Sequence, residues 1–226
     1  MKTVGANCVR PRAHKVRPFT GNMFSARSFI VRNAEIVIST SETDITLSLN
    51  LDGSGICAVD SGIGFLDHML ELFSRHGKFD LDLNCVGDIN VDNHHSVEDI
   101  GICLGKAFAQ CLGDARGIFR FSDVTVPMDE ALVMCAVDVS GRGHLSLDAA
   151  LPGNAVGAME AELLEEFLLA FSRNAGITVH IRMLDGKNTH HIIEACFKAL
   201  ARALREAVKI DELFKDDIPS TKGTLL

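Results

Sequence analysis

The stretch NHHSVE at residues 93–98 recurs as THHIIE at residues 189–194, 96 positions further along the chain. Both copies have the pattern HHxxE, and both lie in segments whose apolar residues have helical spacing. The similarity extends upstream, because LFSRHGKFDLDL from Leu72 aligns with AFSRNAGITVHI from Ala170 at an offset of 98. The small difference in offset corresponds to an ordinary loop insertion. The sequence therefore predicts duplication of one structural unit, whereas a solenoid normally needs at least three repeats.

Each HHxxE copy ends a segment with the same predicted order of elements. Alternating apolar residues predict three strands, and helical spacing then predicts a helix, a further strand and the HHxxE helix. The first unit covers residues 35–117, and the second covers residues 118–226 and ends in a polar tail. Two βββαβα units predict one compact α+β domain whose two sheets pack with the helices between them. The segment LPGNAVGAM, residues 151–159, is expected to be a flexible loop without ligands.

Residues 1–34 differ in charge from the rest of the chain. They contain seven Lys or Arg and no acidic residue, whereas the remainder has 30 acidic and 15 basic residues. This excess of acidic residues after residue 34 argues against general binding of nucleic acid. We favour two interpretations of the basic stretch over an organellar transit peptide. It is a disordered arm, or the start codon is misassigned and translation begins at Met23.

The cysteines and the hydropathy of the sequence indicate the cellular compartment of the protein. Seven cysteines are scattered along the chain without any CxxC spacing, which favours buried free thiols in a reducing compartment over disulfides or a cysteine-ligated zinc. The sequence has no apolar run long enough to span a bilayer. We therefore expect a cytoplasmic protein without a membrane partner.

The two HHxxE copies are candidate metal-ligand sets. His94 and Glu98 are four residues apart and share one face of a helix, so they can bind the same ion. His95 points about 100° away around the helix and can reach a second ion. The second copy repeats this arrangement with His190, Glu194 and His191. Imidazole and carboxylate donors without thiolate suit Mn, Fe, Co or Zn.

Neighbouring residues extend the candidate metal site. His68 aligns with Glu166 in the repeat, and both residue types can ligate a metal. Asp99 follows His95 by four residues and is expected to orient its imidazole, although the second copy has alanine at that position. His76, at the end of the helix that carries His68, is expected to contact substrate.

A second group of residues is basic. Arg120, Arg142 and the tail segment PSTKG, residues 219–223, supply cations, two hydroxyls and backbone N–H groups. This mixture suits a phosphate monoester. The alternative interpretation is that these residues form ordinary solvated surface.

Long blocks of the sequence resemble the imidazoleglycerol-phosphate dehydratase family. They lie between Glu35 and Leu225 and include GIGFLDHML, DNHHSVEDIGICLGKA, LPGNAVGAMEAEL, GKNTHHIIEACFKALARALREA and IPSTKGTL. The resemblance implies a hydro-lyase of histidine biosynthesis with two Mn²⁺ ions per active site. It would remove water from D-erythro-imidazole glycerol phosphate to give imidazole acetol phosphate, through an imidazolate bound to both ions. It also implies a homo-oligomer of 24 subunits built from trimers, with metal ligands shared between subunits.

The resemblance further implies roles for single residues. One ion would take His68, His95, His190 and Glu194, and the other His94, Glu98, Glu166 and His191. Family members with histidine at position 166 differ from this chain, whose glutamate adds a negative charge. The resemblance places Glu42, Arg120, Arg142, Lys198, Ser220 and Lys222 at the substrate, and we add His68, His76 and Thr221 as candidate substrate-binding residues. The candidate catalytic bases are Glu194, Glu98 and Glu42, and the sequence does not choose among them.

Two other functions fit the metal motifs alone. A dinuclear metallohydrolase acting on a phosphate ester would use two ions in a similar way. A metal-binding shell protein without enzymatic activity would keep the ligands but would not need the arginines or the PSTKG tail.

Overall fold

The duplication predicted from the sequence is visible in the order of elements. The computed structural model describes residues 32–225, so the predictions for residues 1–31 lie outside it. The first half contains β1 (Asn33–Ser39), β2 (Thr43–Asn50), β3 (Cys57–Asp60), α1 (Gly64–Gly77), β4 (Asp80–Gly87) and α2 (His94–Leu112). The second contains β5 (Phe121–Met128), β6 (Ala131–Val139), β7 (His144–Asp148), β8 (Ala155–Val156), β9 (Met159–Glu160), α3 (Leu163–Ala175), β10 (Ile177–Asp185) and α4 (Thr189–Ala207).

The two halves form sheets of identical topology. The strand orders are β1-β2-β4-β3 and β5-β6-β10-β7. In each sheet the first three strands pair antiparallel with one another, and the fourth pairs parallel with the third. The predicted α+β duplication is thereby confirmed.

Alternation along the central strands explains why each sheet has one buried face. In β2, Ile45, Leu47 and Leu49 are buried, and the residues between them are exposed. In β6 the residues at alternate positions from Ala131 to Val139 are buried in the same way. Because side chains of a strand point alternately to opposite faces, each sheet presents an apolar surface to the helices.

The four long helices lie between the sheets, as predicted. Helix α2 packs on β1 and β2 and against α3, and α4 packs on β5 and β6 and against α1. Gly101 and Gly105 allow α2 to approach α3 closely, since a Cβ at either position would lie within 2.8 Å of the carbonyl oxygen of Phe167 or Phe171. Both HHxxE helices are thus anchored in one core, and the core fixes where they begin.

The prediction for residues 151–159 was wrong in part, because this segment contains structure of its own. It includes β8 and most of the hairpin that β8 makes with β9. Asn93, just before α2, donates a side-chain hydrogen bond to the carbonyl of Ala158, and Gly153 N–H donates to Thr189 Oγ1 at 2.7 Å. The segment contacts the start of both HHxxE helices, so it helps to position them.

The described cysteines are free thiols, as predicted for this part of the chain: Cys57, Cys85, Cys103, Cys111, Cys135 and Cys196. Five of them are buried, and burial raises the pKa of Cys196 to about 12. Such thiols stay protonated at neutral pH and serve as packing residues. Among residues 32–225, no helix is long and apolar enough to cross a bilayer.

Candidate metal and substrate site

Three predicted ligands converge where α1 meets the first turns of α4. Donor atoms of His68, His190 and Glu194 all lie within 4.8 Å of one another. His190 Nε2 is 3.1 Å from Glu194 Oε2, as expected for residues four apart on one helix face, and His68 Nε2 is 3.8 Å from the same oxygen. Two imidazoles and a carboxylate without thiolate could hold a divalent ion such as Mn, Fe, Co or Zn.

Glu194 is a buried anion with a cationic partner. Its side chain is 8% exposed, and Lys198, one turn further along α4, lies 2.5 Å from Oε1. Burial alone would raise the pKa of Glu194, but the contacts with Lys198 and His190 outweigh it and lower that pKa. The carboxylate is therefore ionised at neutral pH, which is the form a metal needs.

The first HHxxE helix gives a looser pair. His94 Nε2 and Glu98 Oε2 are 3.8 Å apart, and both side chains are nearly half exposed. Glu166, on α3, is partly buried and is not one of the three donors that converge near α4. Within the described residues, the second predicted ligand set, which consists of His94, Glu98, Glu166 and His191, therefore does not converge as predicted.

His95 points away from His94 and meets different carboxylates. Its Nδ1 lies 3.0 Å from Asp88 Oδ2, and its Nε2 lies 3.9 Å from Glu42 Oε1. The hydrogen bond to Asp88 raises the pKa of His95. The expectation that Asp99 orients His95 was wrong, because Asp99 instead accepts a hydrogen bond from the hydroxyl of Thr43 on β2.

His191 repeats this pattern in the second half. Its Nδ1 lies 2.7 Å from Glu130 Oε2, and its Nε2 lies 3.7 Å from Asp129 Oδ2. The hydrogen bond to Glu130 raises the pKa of His191. Both acidic residues belong to the turn between β5 and β6. In each half, the first histidine faces the glutamate of its own helix, and the second faces the ends of the strands.

The basic group gathers around one carboxylate, Asp138. Arg120 Nε donates to Asp138 Oδ1 at 2.7 Å, and Arg120 Nη1 donates to the carbonyl of Pro219 at 2.8 Å. Arg142 Nη2 lies 3.7 Å from Asp138 Oδ2, with a side chain that is 68% exposed. The two arginines and the start of the PSTKG segment are thus brought together, and the phosphate role of these residues stays a prediction.

The remaining predicted substrate residues fall into two places. Ser220, Thr221 and Lys222 lie in the tail next to Pro219, where Ser220 Oγ accepts the backbone N–H of Lys222. Lys198 lies beside Glu194, and His76, on α1, lies alongside α4. Burial, followed by the charges of Lys198 and Arg202, lowers the pKa of His76.

The metal residues and the arginines lie at opposite ends of the second half. Glu130 precedes β6 and Asp138 is near its end, a separation of about 25 Å at roughly 3.3 Å per residue. Helix α4 gives the same separation. His190 lies in its first turn, and its last residue, Ala207, accepts a hydrogen bond from the backbone N–H of Arg120, so the length of the helix separates the histidine from the arginine. One subunit therefore does not bring its predicted metal ligands and its arginine cluster to a single place.

Comparison with known proteins gives the family of the chain. A model of the family described as imidazoleglycerol-phosphate dehydratase matches residues 61–204. The chain belongs to this family. The imidazoleglycerol-phosphate dehydratase of Synechococcus sp. (strain WH7803) is 52% identical over 196 residues, which are 87% of this chain and 97% of that protein. The enzyme of Desulforamulus reducens is 54% identical over 194 residues, which are 86% and 98% of the two chains.

Solved structures of the family have the same fold. The Staphylococcus aureus imidazoleglycerol-phosphate dehydratase has a TM-score of 0.73 at 37% identity, over 79% of this chain and 99% of that one. The Pyrococcus furiosus enzyme, in complex with (S)-C348, has a TM-score of 0.73 at 35% identity, over 84% and 100%. The predicted resemblance is confirmed, and the hydrolase alternative is not favoured.

Sequence reasoning missed four carboxylates at these sites: Asp88, Asp129, Glu130 and Asp138. Asp88 lies in the loop after β4, where no periodicity predicts a contact. Glu130 is next to Asp129 in a hairpin turn, and acidic residues in turns are usually ascribed to solvation. Asp138 could have been detected from the sequence, because it precedes Arg142 by four residues. Opposite charges on either side of a strand end are candidates for an ion pair.

Proposed function

We propose that this protein catalyses the elimination of water from imidazole glycerol phosphate to give imidazole acetol phosphate, a step of histidine biosynthesis. The observation that carries the proposal is the convergence of His68, His190 and Glu194 in a chain more than half identical to named dehydratases. The reaction is a carbon–oxygen lyase reaction that leaves the phosphate intact. The free cysteines fit a reducing compartment, and we place the enzyme in the cytoplasm.

We propose that two Mn²⁺ ions serve each active site. One ion would be held by His68, His95, His190 and Glu194, and the other by His94, Glu98, Glu166 and His191. The donor types support this assignment, since all eight are imidazoles or carboxylates. When bound, the ions would act as Lewis acids and as a template for the substrate imidazole.

The proposed ligand sets require more than one subunit. Among residues 32–225, three donors converge at the His68 site, whereas His95 faces Asp88 and Glu42. We propose that His95 and His191 complete sites in neighbouring copies of the chain. The assembly we propose is a homo-oligomer of 24 subunits built from trimers.

The arginine cluster and the tail are the proposed phosphate site. Arg142 is exposed and therefore able to reach a ligand, and Arg120 holds the Pro219 carbonyl so that Ser220, Thr221 and Lys222 follow it at the surface. Guanidinium groups and backbone N–H groups recognise phosphate oxygens. Lys198 and His76 would contact the substrate nearer to the metal ligands.

Proton transfer is assigned to the carboxylates. Glu194 has Lys198 at one oxygen and His190 at the other, so a ligand role suits it best. Glu42 and Glu98 are about half exposed and lie near His95 and His94, and we propose that one of them removes the substrate proton.

The decisive experiment is incubation of manganese-loaded protein with imidazole glycerol phosphate. We expect a ketone product, measured by its absorbance in alkali, and no inorganic phosphate. Phosphate without ketone would instead support the hydrolase. If neither product formed, a metal-binding shell protein without catalytic activity would be the better interpretation.

A further inference from the structure

The second histidine of each HHxxE motif is held by a carboxylate at Nδ1. Both oxygens of Asp88 lie close to His95 Nδ1, at 3.0 and 3.2 Å. An ionised carboxylate can only accept hydrogen bonds, so Nδ1 must carry the proton. In a neutral imidazole the lone pair then resides on Nε2. Asp88 therefore fixes which nitrogen of His95 is available as a donor.

Glu130 does the same for His191 and also holds the start of α4. Glu130 Oε2 lies 2.7 Å from His191 Nδ1, and Oε1 accepts the backbone N–H groups of Asn188 at 2.8 Å and Lys187 at 3.2 Å. Both oxygens are engaged, so the carboxylate has little freedom to rotate.

The two carboxylates do not come from equivalent positions of the repeat. Asp88 follows the end of β4, and the residue that follows the end of β10 in the same way is Gly186. A Cβ at Gly186 would lie 2.7 Å from Cγ1 of the buried residue Ile192, so no side chain fits there. The second half takes its carboxylate from the β5–β6 turn. Duplication explains the two histidines, but the partner of Nδ1 comes from a different element in each half. Glu42, which precedes β2 as Glu130 precedes β6, lies instead 3.9 Å from Nε2 of His95.

We propose that Asp88 and Glu130 are positioning residues that hold His95 and His191 with Nδ1 protonated and Nε2 ready to bind a metal ion. The proposal rests on the metal role given above to both histidines. Carboxylate partners of this kind orient metal-binding imidazoles and increase their basicity, and their loss typically lowers metal affinity about 10- to 100-fold. Each carboxylate would act on a different ion, because the two histidines are assigned to different ligand sets.

The test compares Asp88→Ala and Glu130→Ala with the conservative variants Asp88→Asn and Glu130→Gln, which keep an acceptor oxygen. Asp82→Asn, an exposed aspartate on β4, is the matched control. Two properties of the full-length oligomer are measured. The first is the imidazole tautomer in metal-free protein labelled with ¹⁵N at histidine, by solid-state NMR, with signals assigned from His95→Gln and His191→Gln. The second is the affinity for Mn²⁺, by titration at fixed pH.

We expect the Nδ1–H form at His95 and His191 in the unsubstituted protein. Each alanine variant should lose this preference at its own histidine and bind Mn²⁺ about 10- to 100-fold more weakly. The amide variants should recover part of both properties, and the control should change neither. If Glu130→Ala does not fold because α4 loses its start, Glu130→Gln and the Asp88 pair still decide the matter.

Two results would overturn the proposal. One is that the alanine variants keep the original tautomer and affinity. The other is that affinity falls while the tautomer is unchanged, since that indicates a general effect on the fold. The tautomer is measured without metal or substrate, so its outcome is independent of the reaction. Failure to produce ketone would defeat the proposed function and leave this result standing.

Discussion

At the residue scale, His190 is the side chain whose removal separates metal binding from folding most clearly. It lies 3.1 Å from Glu194 and its ring is 5.0 Å from that of Phe65, but its side chain is 40% exposed and fills no core position. We expect His190→Ala to fold normally and to lower Mn²⁺ affinity by more than the roughly 100-fold attributed to outer partners. Turnover should be abolished.

The matched control for that substitution is His180→Ala. His180 is also partly buried, but it lies on β10 with its ring next to that of His144, outside the donor set. Metal content after gel filtration, measured by mass spectrometry, should fall in the His190 variant and stay unchanged in the His180 variant. Full manganese content in both would contradict the ligand assignment.

At the element scale, Asp80 shows how one carboxylate fixes a connection. Asp80 Oδ1 accepts the backbone N–H groups of Ser54, Gly55 and Ile56 at 2.8–3.0 Å, which closes the turn before β3. Burial alone would raise the pKa of Asp80, but these hydrogen bonds outweigh it and lower that pKa. The folded state therefore binds the proton less tightly than the unfolded chain does.

The sign of the pH effect follows from that lowered pKa. Stability from the ionised Asp80 is fully present above the unfolded pKa, about 3.9, and is lost as pH falls through the lower folded pKa. At pH 7, Asp80→Asn should cost about 1 kcal/mol, since hydrogen bonds to a charged acceptor are stronger and partial exposure keeps the effect small. Urea unfolding should show this difference at pH 7 and a smaller one near pH 3.

Asp82→Asn, one alternation further along β4, is the control for this stability prediction. Its side chain is on the exposed face of the sheet, so we expect the free energy of unfolding to change by less than about 0.5 kcal/mol. A pH-independent difference between Asp80→Asn and the unsubstituted protein would contradict the assigned role of the charge.

The elements that the sequence predicted correctly are those with a long periodic pattern. The alternation in β2 and the four-residue spacing in α2 and α4 record burial against one core, so pattern and structure agree. The hairpin of β8 and β9 was missed because strands of two residues have no period to detect. Its position depends on contacts with Asn93 and Thr189, which are distant in sequence.

The site was predictable to the extent that it lies within single helices. The pairs His94–Glu98 and His190–Glu194 follow from helix geometry alone. The same geometry gave a wrong prediction for Asp99. Its spacing from His95 indicates a shared helix face, but it does not reveal that the hydroxyl of Thr43 on β2 binds Asp99 instead. Asp88 and Glu130 were out of reach, since both depend on where a loop or a turn folds back against a helix.

At the scale of the whole molecule, the separation of about 25 Å between the predicted ligands of α4 and the arginines is the reason for our proposal that copies of the chain share their sites. A site built from one chain's ligands and another chain's arginines can be restored by mixing two defective chains. Arg142→Ala should raise KM about 10- to 100-fold, the loss expected for a hydrogen bond to a charged group, and should leave metal bound. His190→Ala should lose the metal and keep the arginines.

Oligomers reassembled from equal amounts of His190→Ala and Arg142→Ala chains should recover activity at low substrate concentration. In an assembly with closed symmetry, random mixing gives at most roughly a quarter of the sites both an intact His190 and an intact Arg142, because each contributing chain is of the required type in half of the cases. The control mixes Arg120→Ala with Arg142→Ala, whose residues both contact Asp138 on one chain and so cannot complement each other. Equal activity in the two mixtures, with no gain over the separate variants, would show that each chain carries its own complete site.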